Sequence, residues 1–292
     1  VALLLAALLA LWALYEVLTP LCHSLVALGL SMAARDRLNQ LGDIAVADND
    51  RPQPTEPYRL TVEQLSARHP AALSGPDNIH FALHSGQILV VNGASGAGKS
   101  SLLQALAGDL PYQGQVTLNN KPLQHWQLSH CLGYLPQQPD IFDLTLAQNL
   151  RLGAPEASEQ ELWQVLEDVA LKTWAQSQPQ QLDTVLGEYG AAVSGGQGRR
   201  IALARLLLAN RPILLLDEPF AGLDSITTQR VAKTLQQRQQ SGLCLIHRNH
   251  ANQSPDLPPV FDNKRTSEIT IDLSSAFAMS YNVSKVTVTA VN

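Results

Sequence analysis

Eight consecutive residues, Gly93-Ala94-Ser95-Gly96-Ala97-Gly98-Lys99-Ser100, fit the pattern G-x-x-x-x-G-K-[ST]. Glycines let the backbone curl until several N–H groups converge, and the N-terminus of a following helix adds its dipole, so the chemistry is phosphate binding. Lys99 brings a mobile positive charge, and the Ser100 hydroxyl is suited to Mg²⁺. Gly93, Ser95, Gly96, Ala97, Gly98, Lys99, Ser100 and Ser101 are therefore candidate nucleotide-binding residues. Further on, the apolar run Ile213-Leu214-Leu215-Leu216 ends in Asp217-Glu218-Pro219. Asp217 could hold Mg²⁺ directly or through water, and Glu218 could polarise an attacking water. An acidic pair capping a strand end is the structural alternative, but it accounts for neither Pro219 nor the lysine loop upstream.

These groups need a scaffold that points them at one place. Leu214 to Leu216 reads as a central parallel strand, because a strand covered on both faces is continuously apolar. Gln87 to Val91 reads as a strand feeding the glycine loop, and Ser101 to Ala107 as the helix that the loop opens. Arg59 to Leu65 alternates as a strand, with others at His80 to Leu83 and Gln115 to Leu118. Residues 158 to 175 carry helical periodicity through Leu162, Val165, Leu166, Val169 and Leu171. His80 and His84 could share a strand face, but no third ligand lies nearby to make a metal site. Trp126, Trp163 and Trp174 read as packing residues.

Residues 1 to 34 are overwhelmingly apolar, a run long enough to span a bilayer. A signal peptide would want a basic start, which is missing, and a buried core helix rarely stays apolar on all faces for this length. Arg35 and Arg37 follow the run, so that end and the rest of the chain are expected in the cytoplasm. Glu16, Pro20 and His23 interrupt the span; Glu16 either faces a cavity or another helix, or snorkels at an interface. The chain starts at Val1 rather than methionine, which suggests the C-terminal part of a longer polypeptide. The domain reading is a last membrane helix with its extension at 1–42, a linker at 43–57, a nucleotide-binding domain at 58–250 and a divergent tail at 251–292. In the tail, Glu268 to Leu273 is a candidate strand, followed by a Ser/Thr/Val-rich end. A net charge of −5 and a pI near 5.9 give no basic footprint for nucleic acid. Cys22, Cys131 and Cys244 are too scattered for a disulfide framework and read as reduced, buried or membrane-embedded thiols.

The ordered set Gly93 to Ser100, Gln137 within Leu135-Pro136-Gln137-Gln138-Pro139, Val193-Ser194-Gly195-Gly196-Gln197, Asp217-Glu218, Ala221-Gly222-Leu223-Asp224 and His247 resembles the nucleotide-binding domain of ATP-binding-cassette (ABC) transporters. The resemblance implies an α/β P-loop fold with a RecA-like core, an antiparallel β subdomain and a helical subdomain, preceded here by a transmembrane helix. It implies ATP and Mg²⁺ as ligands, with Ser100, Gln137 and Asp217 toward the metal and Glu218, His247 and Gln137 as the catalytic set. Ser194, Gly195, Gly196 and Gln197 would cap the γ-phosphate held by a partner cassette, and Asp224 would link the two sites. His69 stands where the family usually places an adenine-stacking aromatic. After His247 the family has a strand, a glycine turn and a closing helix, which the sequence from Asn249 onward does not spell out.

A membrane helix fused upstream implies an exporter half-transporter. Tyr15-Glu16-Val17-Leu18-Thr19-Pro20, with Ala33-Ala34-Arg35 and Arg37-Leu38-Asn39 after it, resembles the CydDC family of bacterial heterodimeric exporters, on its CydC side. That resemblance implies a CydD-like partner half, a place in the inner membrane, and a thiol such as glutathione or cysteine, or haem, as cargo in cytochrome bd assembly. The competing readings are another exporter half for lipid, drug or peptide, a non-transport ATP-gated clamp or assembly factor, and an inactive fragment.

Overall fold

The computed structural model describes residues 2–42, 51–69, 72, 75–93, 95–240, 244–248, 268–272 and 288–291. The chain divides into two compact units, Val1–Asp50 and Arg51–Asn292.

The described residues of the first unit form one helix, α1 (Ala2–Gly42), of 41 residues. At 1.5 Å per residue it is about 60 Å long. Within it, Leu3–Pro20 is long and apolar enough to cross a membrane by length and composition. Pro20 lies inside the helix, where it supplies no N–H to the carbonyl four residues back. Hydroxyls take up backbone carbonyls around it: Thr19 Oγ1 donates to Tyr15 O and Ser24 Oγ to Pro20 O, each at 2.8 Å. Such bonds keep hydroxyls satisfied where the surroundings offer no water. Glu16 is exposed on this helix, and the side chains of Cys22 and His23 lie outside the described residues.

The second unit runs through β1 (Arg59–Ala67), β2 (Ile79–His84), β3 (Ile88–Asn92), α2 (Lys99–Ala107), β4 (Tyr112–Leu118), β5 (Lys121–Pro122), α3 (Leu128–Cys131), β6 (Leu132–Leu135), α4 (Leu146–Arg151), α5 (Glu159–Asp168), α6 (Lys172–Ser177), α7 (Gly195–Ala209), β7 (Ile213–Asp217), α8 (Ser225–Gln240), β8 (Cys244–Arg248), β9 (Glu268–Asp272) and β10 (Val288–Val291). Two sheets organise it. An antiparallel sheet has the order β2-β1-β4-β5, and a second has the order β10-β9-β3-β8-β7-β6. The second is parallel from β9 to β6, with β10 antiparallel at its edge.

The apolar runs explain why the second sheet is central. Along β3 and β7, side chains alternate between two packed cores: Ile88, Val90, Leu214 and Leu216 join one, and Leu89, Val91, Ile213 and Leu215 the other. The first core is closed by α4, α5, α7 and α8 through residues such as Leu150, Leu166, Leu203 and Leu235. The other is closed by α2 and the antiparallel sheet through Leu102, Leu106, Leu60 and Leu118. Burying each such side chain stabilises the fold by roughly 1.5–3 kcal/mol. In the antiparallel sheet, β1 bulges at Gln64, whose φ is 53°, and its pairing with β4 shifts register between Glu63 and Ser66. Gly114 permits this: a Cβ there would lie 2.2 Å from the Gln64 carbonyl oxygen.

Two sequence readings are revised. The periodicity of 158–175 is not one helix, because Ala170 adopts a φ of 57° and separates α5 from α6. Apolar spacing continues across the break because both helices bury the same side, so periodicity alone does not show it. The Ser/Thr/Val-rich end contributes a strand, β10, paired antiparallel with β9 from Val288 opposite Ile271 to Val291 opposite Glu268. The candidate strand ahead of it is β9, parallel to β3. Trp126 is buried and its indole N–H donates to Leu118 O at 2.8 Å, while Trp163 and Trp174 pack partly buried against the first core.

Candidate functional site

The C-terminal ends of the parallel strands share one edge of the sheet. Leu135 of β6 pairs with Leu216 of β7, Leu216 with His247 of β8, and His247 with Val90 of β3. Gln137, Glu218 and Gly93 therefore each follow within three residues of one cross-strand row. His247 lies in the row itself; its side chain is outside the described residues.

The glycine loop leaves β3 and enters α2. Gly93, Gly96 and Gly98 have φ of 148°, 81° and 88°. Gly98 caps α2 in the left-handed region, and its carbonyl accepts from Leu102 N at 2.9 Å. A side chain at 98 would strain that backbone and place its Cβ 2.6 Å from Pro76 Cδ, so only glycine fits. Ser95 and Gly96 are exposed, Ala97 is buried, and Ser100 and Ser101 are half-buried in the first turn of α2. Ala94 lies outside the described residues. Lys99 is buried, and its ammonium donates to the Gly93 carbonyl across the loop. Asp217 is buried at the end of β7. Strand alternation puts it on the same sheet face as Ile213 and Leu215, the face that α2 covers. A hydroxyl at Ser100 and a buried carboxylate at Asp217 on that face are hard oxygen donors of the kind Mg²⁺ takes.

The acidic corner is assembled from distant segments. The Gln137 amide Nε2 donates to Glu218 Oε2 at 3.3 Å across 81 residues. Glu218 is 7% exposed and has a φ of 55°, a region that costs a non-glycine residue about 1 kcal/mol. That turn aims its carbonyl at Ala221 N, at 3.1 Å, and at Arg199 Nη1, at 2.8 Å. Arg199 Nη2 donates to the Gln137 carbonyl.

Helix α7, which carries Arg199, begins at the pentapeptide. Ser194 is its N-cap: Gln197 N donates to Ser194 Oγ at 3.2 Å, and Ser194 N donates to Gln197 Oε1 at 2.8 Å. This capping box satisfies two backbone donors that no helical carbonyl reaches. A hydroxyl that accepts a bond still has its own proton to donate, so capping and anion binding by Ser194 are compatible. Ser194 and Gly195 are exposed, and Gly196 lies close to the Gly222 carbonyl, which a Cβ on Gly196 would meet at 3.4 Å. Asp224 caps α8, accepting from Thr227 N at 2.9 Å and Thr227 Oγ1 at 2.7 Å. These two bonds, the backbone one first, hold its carboxyl below the usual range.

Three residues without any role in the sequence reading organise the corner. Arg199 is one. Asn149, fully buried, donates through Nδ2 to the carbonyls of Phe142, Leu144 and Thr145 and accepts from Phe142 N at 3.1 Å. Arg205 on α7 binds Asn149 Oδ1 at 2.7 Å, Asn149 O at 2.9 Å and Asp140 O at 2.8 Å. Burial lowers the Arg205 pKa, opposed by the nearby Asp140 charge. Together they hold the segment after Gln137. The only sequence signal was a basic residue at an otherwise apolar position of Ile201-Ala202-Leu203-Ala204-Arg205.

His69 is exposed just beyond the end of β1, and its carbonyl accepts from Ala72 N at 2.9 Å. His80 Nε2 and Asn78 Oδ1 are 2.9 Å apart. Among the described residues no three His, Cys, Asp or Glu side chains cluster as metal ligands. Cys131 is buried, which pushes its thiol up to about 11; the side chain of Cys244 lies outside the described residues.

The parallel sheet, with a glycine loop leading from β3 into α2, defines an α/β domain of the P-loop type. A family model described as "ABC transporter" matches residues 76–221, half of the chain, and the chain belongs to that family. It is 40% identical over 188 residues to the glutathione/L-cysteine transport system ATP-binding/permease protein CydD of Escherichia coli (strain K12), covering 62% of this chain and 31% of the relative. It is 37% identical over 224 residues to the corresponding CydC of Bacillus subtilis (strain 168), covering 72% and 39%. A solved structure of a bacterial Atm1-family ABC exporter with ATP bound matches with a TM-score of 0.70 at 24% identity, over 84% of this chain and 42% of that one. The expected fold of the ATP-binding domain is therefore the observed one. The chain spans about two fifths or less of the length of these proteins.

Proposed function

We propose that this chain is the ATP-hydrolysing part of a bacterial ABC exporter half-transporter, with α1 as a membrane-spanning helix and the second unit in the cytoplasm. The meeting of the Gln137 amide with the Glu218 carboxylate carries this reading, because it places a water-orienting amide and a general base together. They stand at the strand edge that also presents the Lys99 loop. ATP phosphates are bound by the loop N–H groups of Gly93 to Ser101 and by Lys99. Ser100, Asp217 and Gln137 would hold Mg²⁺, which would neutralise phosphate charge. Glu218 takes the proton of the attacking water, and His247 holds that water and the γ-phosphate in line. His69 stacks on adenine, and Ser194 to Gln197 serve the nucleotide of the partner cassette while Asp224 links the sites.

The finer reading is a CydC-type half paired with a CydD-like half in the inner membrane, exporting a thiol such as glutathione or cysteine, or haem, for cytochrome bd assembly. The identities to proteins named CydD and CydC support it. The test uses the full-length protein assembled with its partner half in lipid nanodiscs, the partner site being catalytically disabled. Glu218→Gln is expected to lower turnover by about 100-fold or more while ATP affinity stays within a few fold; full activity overturns the assignment. Stimulation of the parent ATPase by glutathione or cysteine supports thiol cargo and stimulation by haem supports haem. Response only to a lipid, drug or peptide makes it another exporter half.

A further inference from the structure

We infer that Arg199 is a positioning residue for hydrolysis, holding Gln137 and Glu218 in one geometry from the helix that begins at Ser194. The inference rests on the ATPase reading given above. Three hydrogen bonds close a ring: Gln137 Nε2 to Glu218 Oε2, Arg199 Nη1 to Glu218 O, and Arg199 Nη2 to Gln137 O. The partners come from three separate segments, with Arg199 lying 62 residues from Gln137 and 19 from Glu218. A guanidinium is suited to this because its donors diverge in a fixed plane, so two carbonyls bound to it are fixed relative to each other.

Both anchored carbonyls belong to residues whose side chains do the chemistry. Glu218 sits in a left-handed conformation, which orients its peptide and side chain together, and Arg199 binds the carbonyl so exposed. Gln137 lies on an exposed loop beyond β6, and its backbone is held toward Glu218 by the same side chain. Arg199 touches neither the lysine loop nor the Lys99 ammonium in any described hydrogen bond. Its loss should therefore act on orientation rather than on nucleotide affinity. Arg200, next on the helix, binds Gly196 O and Ala170 O instead, so the tandem arginines are not interchangeable.

The test compares Arg199→Ala, Arg199→Lys, Glu218→Gln and the Arg199→Ala/Glu218→Gln double variant in the full-length assembled transporter with the partner site disabled. Single-turnover hydrolysis of labelled ATP is measured beside fluorescent-nucleotide affinity. Expected for Arg199→Ala is a fall in rate of about 10- to 100-fold with affinity within about twofold, because misorientation costs rate. Arg199→Lys should fall between Ala and the parent, since one ammonium lacks the fixed fork. In the Glu218→Gln background, Arg199→Ala should lower the residual rate by several-fold less than it does in the parent, since the part of its effect exerted through the Glu218 carboxylate is lost while the part through Gln137 remains. Unchanged rate in Arg199→Ala, a tenfold loss of affinity, or full multiplication of the two effects in the double variant would overturn the inference. Full activity of Glu218→Gln itself would instead remove the ATPase reading beneath it.

Discussion

The two halves of the candidate site are built by opposite means. The phosphate side is one loop of consecutive residues, Gly93 to Ser100, whose shape comes from glycine backbone and the start of α2. The acidic side is a junction of residues 137, 199 and 218, tied by side-chain bonds that span up to 81 residues. A local loop carries its geometry in its own dihedrals. A junction carries it in distant partners, so single changes far from the chemistry should disturb it more readily.

That contrast can be broken or sharpened by substitution. The largest effect is the loss of turnover in Glu218→Gln described above, which strikes the junction and spares binding. Below it comes Asn149→Ala, which removes the bonds organising residues 142–145 and leaves Arg205 and three carbonyls short of a partner. It should destabilise the cassette by about 2–4 kcal/mol. Urea unfolding should show a lower midpoint with an unchanged slope. On the phosphate side, Lys99→Ala should weaken ATP binding by about 10- to 100-fold, the value of a charge-assisted contact, with stability little altered. Calorimetric titration would measure it, and unchanged affinity would count against the loop as the phosphate site.

Smaller effects belong to the helix caps that aim both halves. Ser194→Ala removes the hydroxyl that caps α7 and should cost about 1 kcal/mol in urea unfolding. Asp224→Asn is expected to be the mildest. Its carboxyl is held below the ordinary range by Thr227, so the carboxylate's contribution is present above the unfolded value and is lost as pH falls through the folded one. Parent and variant should therefore differ in stability at neutral pH and converge as the pH falls through the lowered folded-state value. A gap that widens on acidification would mean that the cap is not what the carboxylate provides.

The glycine loop was legible in the sequence because its elements are contiguous: a strand, a glycine loop and a helix fall in order within about twenty residues. β3 and β7 were legible for a similar reason, since burial on both faces writes an uninterrupted apolar run. The break at Ala170 was not, because α5 and α6 continue the same apolar face across a single left-handed residue. β10 was missed because four alternating residues at an edge resemble any Ser/Thr/Val-rich stretch. Asn149, Arg199 and Arg205 were invisible as site residues. Nothing near Arg199 in sequence says that its guanidinium meets two carbonyls from other segments.

By itself, then, the sequence determined the glycine loop, the apolar central strands and the membrane-length first helix, all of which are properties of neighbouring residues. Only the tertiary structure decided which side chains share a site. Gln137 meets Glu218 because parallel pairing brings the ends of β6 and β7 to one edge. Arg199 reaches both because α7 packs across that edge, and these are distances that chain order does not encode.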